Sequence, residues 1–124
     1  MWKAMLINEL SKKTGITIHT IRYYENLSLI QGTTDEKVTT NNYKNYDESV
    51  VERLEIIMEA KEVGFTLAEI RKLLESWFEN SNSKSETAKL FQTKIQEIEK
   101  KIKQFRQIKR RLEKVVEELS KGEC

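Results

Sequence analysis

His19, Thr20, Arg22 and Tyr23 fall close together in the run Thr17-Ile18-His19-Thr20-Ile21-Arg22-Tyr23-Tyr24. On a helix, Ile18 and Ile21 face inward and leave these four on the exposed side. Their chemistry suits groove and backbone contact rather than catalysis. Arginine donates bidentately to guanine or phosphate, threonine offers a hydroxyl and a methyl, and tyrosine reaches a phosphate through its hydroxyl. The bland alternative is a solvated helix face. His19 reads as DNA-facing or simply exposed, not as a metal ligand. Tyr23 and Tyr24 sit about 100° apart on a helix, so one packs inward, and Tyr24 is the one expected to.

Little else is equipped for chemistry. One histidine, one cysteine and no glycine-rich phosphate loop leave few ways to assemble a nucleophile, a base and an oxyanion site. No enzyme, cofactor or metal site is therefore expected. Glu52, Glu55, Glu59 and Glu62 recur at helical spacing and read as a solvated face. Cys124 lacks the partner ligands that a mononuclear metal site needs; an intermolecular disulfide is its other alternative. A lone cysteine makes a reducing cytoplasm the default compartment. The longest apolar runs, such as 4–7 and 56–58, fall far short of the roughly 18 residues of a membrane span, and nothing resembles a signal peptide. No membrane partner is expected.

The elements that position the first group follow from local signals. Ile7 and Leu10 are spaced to bury one face of a first short helix, and small Ser11 is placed where two helices cross closely. Gly15 ends that helix with a positive φ, and Thr17 caps the next. Two short helices joined by a tight glycine turn are the sequence form of a helix-turn-helix. After Leu29-Ile30 comes a polar loop from Gln31 to Asn42, and Tyr43-Lys44-Asn45-Tyr46 alternates as a short strand does. Strands around a polar loop behind such a helix read as a wing, with Lys37 and Lys44 available to phosphates. Asp47 caps a helix carrying Val50, Val51, Leu54, Ile57 and Met58 on one side, and Gly64 stops it. Thr66 and Glu69 form a capping box for a helix whose apolar face is Ile70, Leu73, Leu74, Trp77 and Phe78. Trp77 and Phe78 are expected against the base of the final helix.

Charge and periodicity divide the chain. The net charge is only +2, but bases dominate the helix-turn-helix and again the stretch from Ser81 onward. The domain reading is a winged helix-turn-helix over 5–78, a polar connector over 79–85 and one long helix over 86–120. With Ala88 at heptad position a, the a and d positions are Ala88, Phe91, Ile95, Ile98, Ile102, Phe105, Lys109, Leu112, Val116 and Leu119. Only Lys109 is polar, and the 3-4 alternation is that of a coiled-coil seam. The dimerisation residues are thus Phe91, Ile95, Ile98, Ile102, Phe105, Leu112, Val116 and Leu119. The alternative is a helix folded back on its own lobe. The fold class is mainly α.

Two runs carry a family resemblance: Thr17-Ile18-His19-Thr20-Ile21-Arg22-Tyr23-Tyr24-Glu25, and Lys61-Glu62-Val63-Gly64-Phe65-Thr66-Leu67-Ala68-Glu69-Ile70. With Leu29-Ile30 and Tyr43-Lys44-Asn45-Tyr46 between them, the chain resembles the MerR family of transcription regulators over residues 5–78, and by architecture beyond. The resemblance implies an antiparallel coiled-coil homodimer on double-stranded promoter DNA, bending and untwisting it so that RNA polymerase can use both promoter elements. By motif position it implies DNA contacts from Arg22 and Tyr23 and from a wing with Tyr43, Lys44 and Tyr46. Thr17, His19, Thr20 and Lys37 complete the expected DNA-binding set. The chain departs from the family pattern at Ser28, where glycine is usual, at Asn42 for glycine, at Lys44 for arginine, and in a longer wing loop without prolines. Lysine keeps the charge but loses the fork geometry. Met1 to Ala4 precede the family-like start.

Family members that sense metals use cysteine pairs, redox members a cysteine cluster, and drug sensors an added ligand domain, none of which is expected here. Any small-molecule effector would then bind at the dimer seam or the helix pair. Two other functions compete: an architectural or phage-type DNA-binding protein without effector response, and a coiled-coil adaptor whose lobe binds protein.

Overall fold

The computed structural model describes residues 4–34, 44–79 and 83–122. Within these the helices are α1 (Ile7–Thr14), α2 (Ile18–Asn26), α3 (Glu48–Glu62), α4 (Leu67–Leu74) and α5 (Ser83–Ser120), with a π-helical turn, Glu75–Glu79, after α4. Two compact units result, 1–81 and 82–124.

Local chemistry sets the helix ends in the first unit. The Thr17 hydroxyl accepts the Thr20 amide at 3.2 Å and starts α2. Asp47 accepts the amides of Ser49 and Val50 at 3.0 and 3.3 Å and starts α3. Thr66 and Glu69 exchange both bonds of a capping box ahead of α4. Gly15, with φ of 75°, caps the end of α1, where its amide reaches the Ser11 carbonyl. Ser11 has a role that its size alone did not suggest. Its hydroxyl donates to the Ile16 carbonyl at 2.6 Å and closes the glycine turn.

Helix α1 packs on α2 and α3, and α3 packs on α4. Leu10, Ile21, Tyr24, Leu29, Tyr46, Leu54, Ile57, Ile70, Leu73 and Leu74 are the largest fully buried side chains. Each of the five helical or loop segments of the unit thus sends at least one residue into a shared core. Met58 shares a side of α3 with buried Val51 but is 45% exposed, so the cover on that side ends before it. Trp77 is half exposed, and Phe78 lies beneath the Arg53 guanidinium, 4.8 Å from its ring centre.

The expected wing strands take a more economical form. Among the described residues the β pairing is limited to two antiparallel bridges, Thr33 with Asn45 and Met5 with Tyr46. The segment before α1 is therefore bridged to the residue that ends the wing. The wing tip, including Lys37 and Tyr43, lies outside the described residues.

In the second unit, α5 runs 38 residues, about 57 Å at 1.5 Å per residue. It begins three residues before the expected start at residue 86. Serines in a first turn cost little, since the first four amides of a helix have no intrahelical acceptor. Glu86 in that turn also complements the helix dipole. The large apolar residues of its seam are about half exposed or more, from 40% at Ile98 to 67% at Phe105. Ile108 and Val115, outside the strict a and d positions, are exposed beside them. Ile108, three residues after Phe105 and four before Leu112, lies on the same side of the helix as both. It widens the apolar stripe where Lys109 interrupts the seam.

Candidate nucleic-acid interface

Helix α2 presents the expected face. Ile21 and Tyr24 are buried, while His19 and Arg22 are exposed, Tyr23 is 46% exposed and Thr20 is partly so. Adjacent Tyr23 and Tyr24 thus divide as their 100° separation requires, with ring centres 5.7 Å apart. Thr17 is exposed but occupied: besides capping the helix, its hydroxyl lies 2.9 Å from that of Thr20. The side chains that face outward with reach are therefore His19, Arg22 and Tyr23.

What fixes this helix against the wing is Glu25, to which the sequence assigned no role. Its carboxylate accepts the Tyr46 hydroxyl at 2.7 Å, the Lys44 ammonium at 3.0 Å and the Gly32 amide at 3.2 Å. Burial alone raises the Glu25 pKa, but these bonds and the Lys44 charge outweigh it, and the net shift is below the ordinary carboxylate value. Tyr46 moves the other way. Burial, its bond to Glu25 and the carboxylate's charge push the phenol well above its usual range, against the opposing charge of Arg22. Period-2 alternation explains the shared partner, because residues 44 and 46 point to one side of an extended segment.

Lys44 is accordingly placed otherwise than the sequence suggested. Its ammonium faces Glu25, and its side chain is 27% exposed, where an open phosphate contact was expected. A lysine two residues from a buried tyrosine shares that tyrosine's anchor. Gly32 is needed by proximity, since an added Cβ would meet Tyr46 Cε1 at 2.8 Å.

Behind α2, the turn carrying Ser28 is held by two arginines from distant helices. Arg53 Nε donates to the Leu29 carbonyl at 3.0 Å, and Arg71 donates to the Leu27 carbonyl. Ser28, at the position of the expected glycine, adopts φ of 61°, a left-handed conformation that disfavours a side chain. The backbone here thus takes a conformation that glycine adopts more readily than serine. Nothing in the sequence marks Arg53 or Arg71, which act 24 and 44 residues away from their partners.

Comparison with known proteins agrees with this geometry. Residues 5–77 match the model of the MerR HTH family regulatory protein, and residues 51–115 match that of MerR, DNA binding. The mercuric resistance operon regulatory protein of Bacillus cereus is 37% identical over 86% of this chain and 78% of its own. A transcription regulator of Ralstonia metallidurans, solved in complex with lead(II), superposes with a TM-score of 0.75 at 30% identity, covering 89% of this chain and 84% of its own. A MerR family regulator lacking the sensor domain, solved bound to promoter DNA, shares the fold with a TM-score of 0.61 at 18% identity, over 98% of this chain and 94% of its own. A family match across more than half of the chain, with the helix-turn-helix geometry it describes, places this protein in the MerR family of DNA-binding transcription regulators.

Proposed function

We infer that the protein acts as a homodimer that grips one promoter duplex with two copies of α2 and distorts it, controlling RNA polymerase on the same promoter from within the cytoplasm. One observation carries the reading: a 38-residue helix whose apolar seam stays uncovered in the single chain. Ten large apolar side chains in line along a helix are a partner-sized surface.

Charge pattern supports an antiparallel pairing. With Ile102 opposite Phe105 of the partner subunit, Lys109 meets an isoleucine and Glu99 flanks Arg106 of the partner subunit twice about the two-fold axis. A parallel, in-register pair instead sets Lys109 against its own copy and Lys101 beside Arg106, both like-charged. Residues 5–78 then form the DNA-reading head and 86–120 the dimerisation helix. His19, Arg22 and Tyr23 address the DNA from α2, with Thr17 and Thr20 at the start of that helix, and Lys37 and Tyr43 address it from the wing, which Lys44 ties to Glu25.

The names of the relatives point to metals, and this chain's donor set does not fit such an ion. Soft metals take paired thiolates, whereas the sequence holds one cysteine and one histidine. Among the described residues no three His, Cys, Asp or Glu side chains are grouped to hold a metal. No helix there is long and apolar enough to cross a membrane. The reading involves no catalysis. A small-molecule effector, where one acts, binds at the dimer seam or at the α3–α4 pair.

Spin labels test the pairing in a Cys124→Ser background. A label at Gln104 should lie close to its copy, and one at Lys84 roughly 55–60 Å from its copy, at about 1.5 Å per residue. Two short distances would show parallel helices, and a monomer at micromolar concentration would end the reading. Footprinting should protect a pseudo-palindrome between promoter elements.

A further inference from the structure

Residues 100–114 of α5 hold Lys100, Lys101, Lys103, Arg106, Lys109, Arg110, Arg111 and Lys114 against one acid, Glu113. All eight cations are exposed, and none of them makes an ion pair among the described residues; Lys94 with Glu97 and Lys121 with Glu117 pair elsewhere on this helix. At 100° per residue, Lys100, Lys103, Arg110, Arg111 and Lys114 share the half of the helix turned away from the apolar seam. Only Gln104 and Gln107 lie between them, so neither an acid nor an apolar side chain interrupts that face over about 21 Å.

Folding of the helix gives no reason for this pattern. Arg106 with Arg110, and Arg110 with Lys114, are like charges four residues apart, which destabilise a helix. A polyanion laid along the face would offset that repulsion. We propose that the outer face of α5 over residues 100–114 is a second surface for the phosphate backbone of duplex DNA, independent of base sequence.

The composition selects this partner over an acidic protein. Protein interfaces take their affinity from apolar and aromatic anchors in a desolvated centre, and this face offers none. A duplex asks for charge and hydrogen-bond donors alone, and presents about one phosphate charge per 1.7 Å of its axis. The face points away from the seam, so the proposal stands whether or not the seam pairs. It also lies outside the helix-turn-helix, so losing it leaves operator recognition by α2 in place.

The test replaces Lys100, Lys103, Arg110, Arg111 and Lys114 by glutamine in the full chain. Binding to a long random-sequence duplex is measured across a salt series. Circular dichroism and sedimentation should match the parent, since glutamine is a good helix former. The slope of log K against log salt should shrink by about 2 to 4, and affinity at low salt should fall roughly tenfold or more. A control with Lys72, Lys84, Lys89 and Lys121 replaced by glutamine should keep most of the parent's slope. An unchanged slope in the five-glutamine protein would overturn the proposal, as would an equal loss in the control, which would reduce the effect to net charge. Binding of polyglutamate that disappears in the five-glutamine protein while duplex binding persists would assign the face to an acidic protein instead.

Discussion

The Tyr46 hydroxyl donates to Glu25 Oε1 at 2.7 Å, a bond that joins the end of the wing to the third turn of α2 across 21 residues of chain. The other carboxylate oxygen takes Lys44 and Gly32, so one side chain fixes the angle between α2 and the end of the wing. Because the folded Glu25 pKa lies below its ordinary 4.5, the ionised cluster stabilises the fold above that value. The contribution is lost as pH falls through the depressed pKa. Urea midpoints should therefore drop as pH is lowered from about 5 toward 3. The drop should be shallower in Glu25→Gln, which has no charge to lose. Tyr46→Phe should cost about 1 kcal/mol at neutral pH.

Ser28→Gly should stabilise the protein by about 0.5–1 kcal/mol, since glycine relieves the left-handed strain and returns part of the gain as unfolded-state entropy. The measurement is the urea midpoint at constant slope. A lower midpoint would mean that the Ser28 side chain makes a contact worth more than the strain.

Arg22→Ala should weaken operator binding by about 1–3 kcal/mol and relax base preference at one position, if the guanidinium reads a base edge. The same loss on every sequence would make it a phosphate contact. An unchanged binding curve would remove Arg22 from the interface.

Phe105→Lys should shift the protein toward monomer and weaken operator binding with it. Lys109→Leu should do the reverse, raising a Tm that depends on protein concentration. Sedimentation at several concentrations reads both.

The features legible in the sequence are those settled within one helical turn. Gly15, the caps at Thr17, Asp47 and Thr66, and the inward turn of Tyr24 each follow from neighbours up to four residues away. Glu25 was visible only as part of a motif, because its partners lie 7, 19 and 21 residues off. Gly32 carries no positive-φ signature, and its need arises from the Tyr46 ring packed against it. Ser28 gave no sign of its left-handed backbone, since serine seldom adopts one. Ile108 and Val115 lie at the flanking g positions, which a template restricted to a and d leaves out although they widen the apolar stripe.

Arg53 does two things at once: its Nε holds the Leu29 carbonyl, and its guanidinium plane rests on Phe78 in the π-helical turn. A single rigid group therefore couples the backbone just behind α2 to the turn that follows α4. Moving Phe78 would pull on the same plane of atoms that anchors the Leu29 carbonyl.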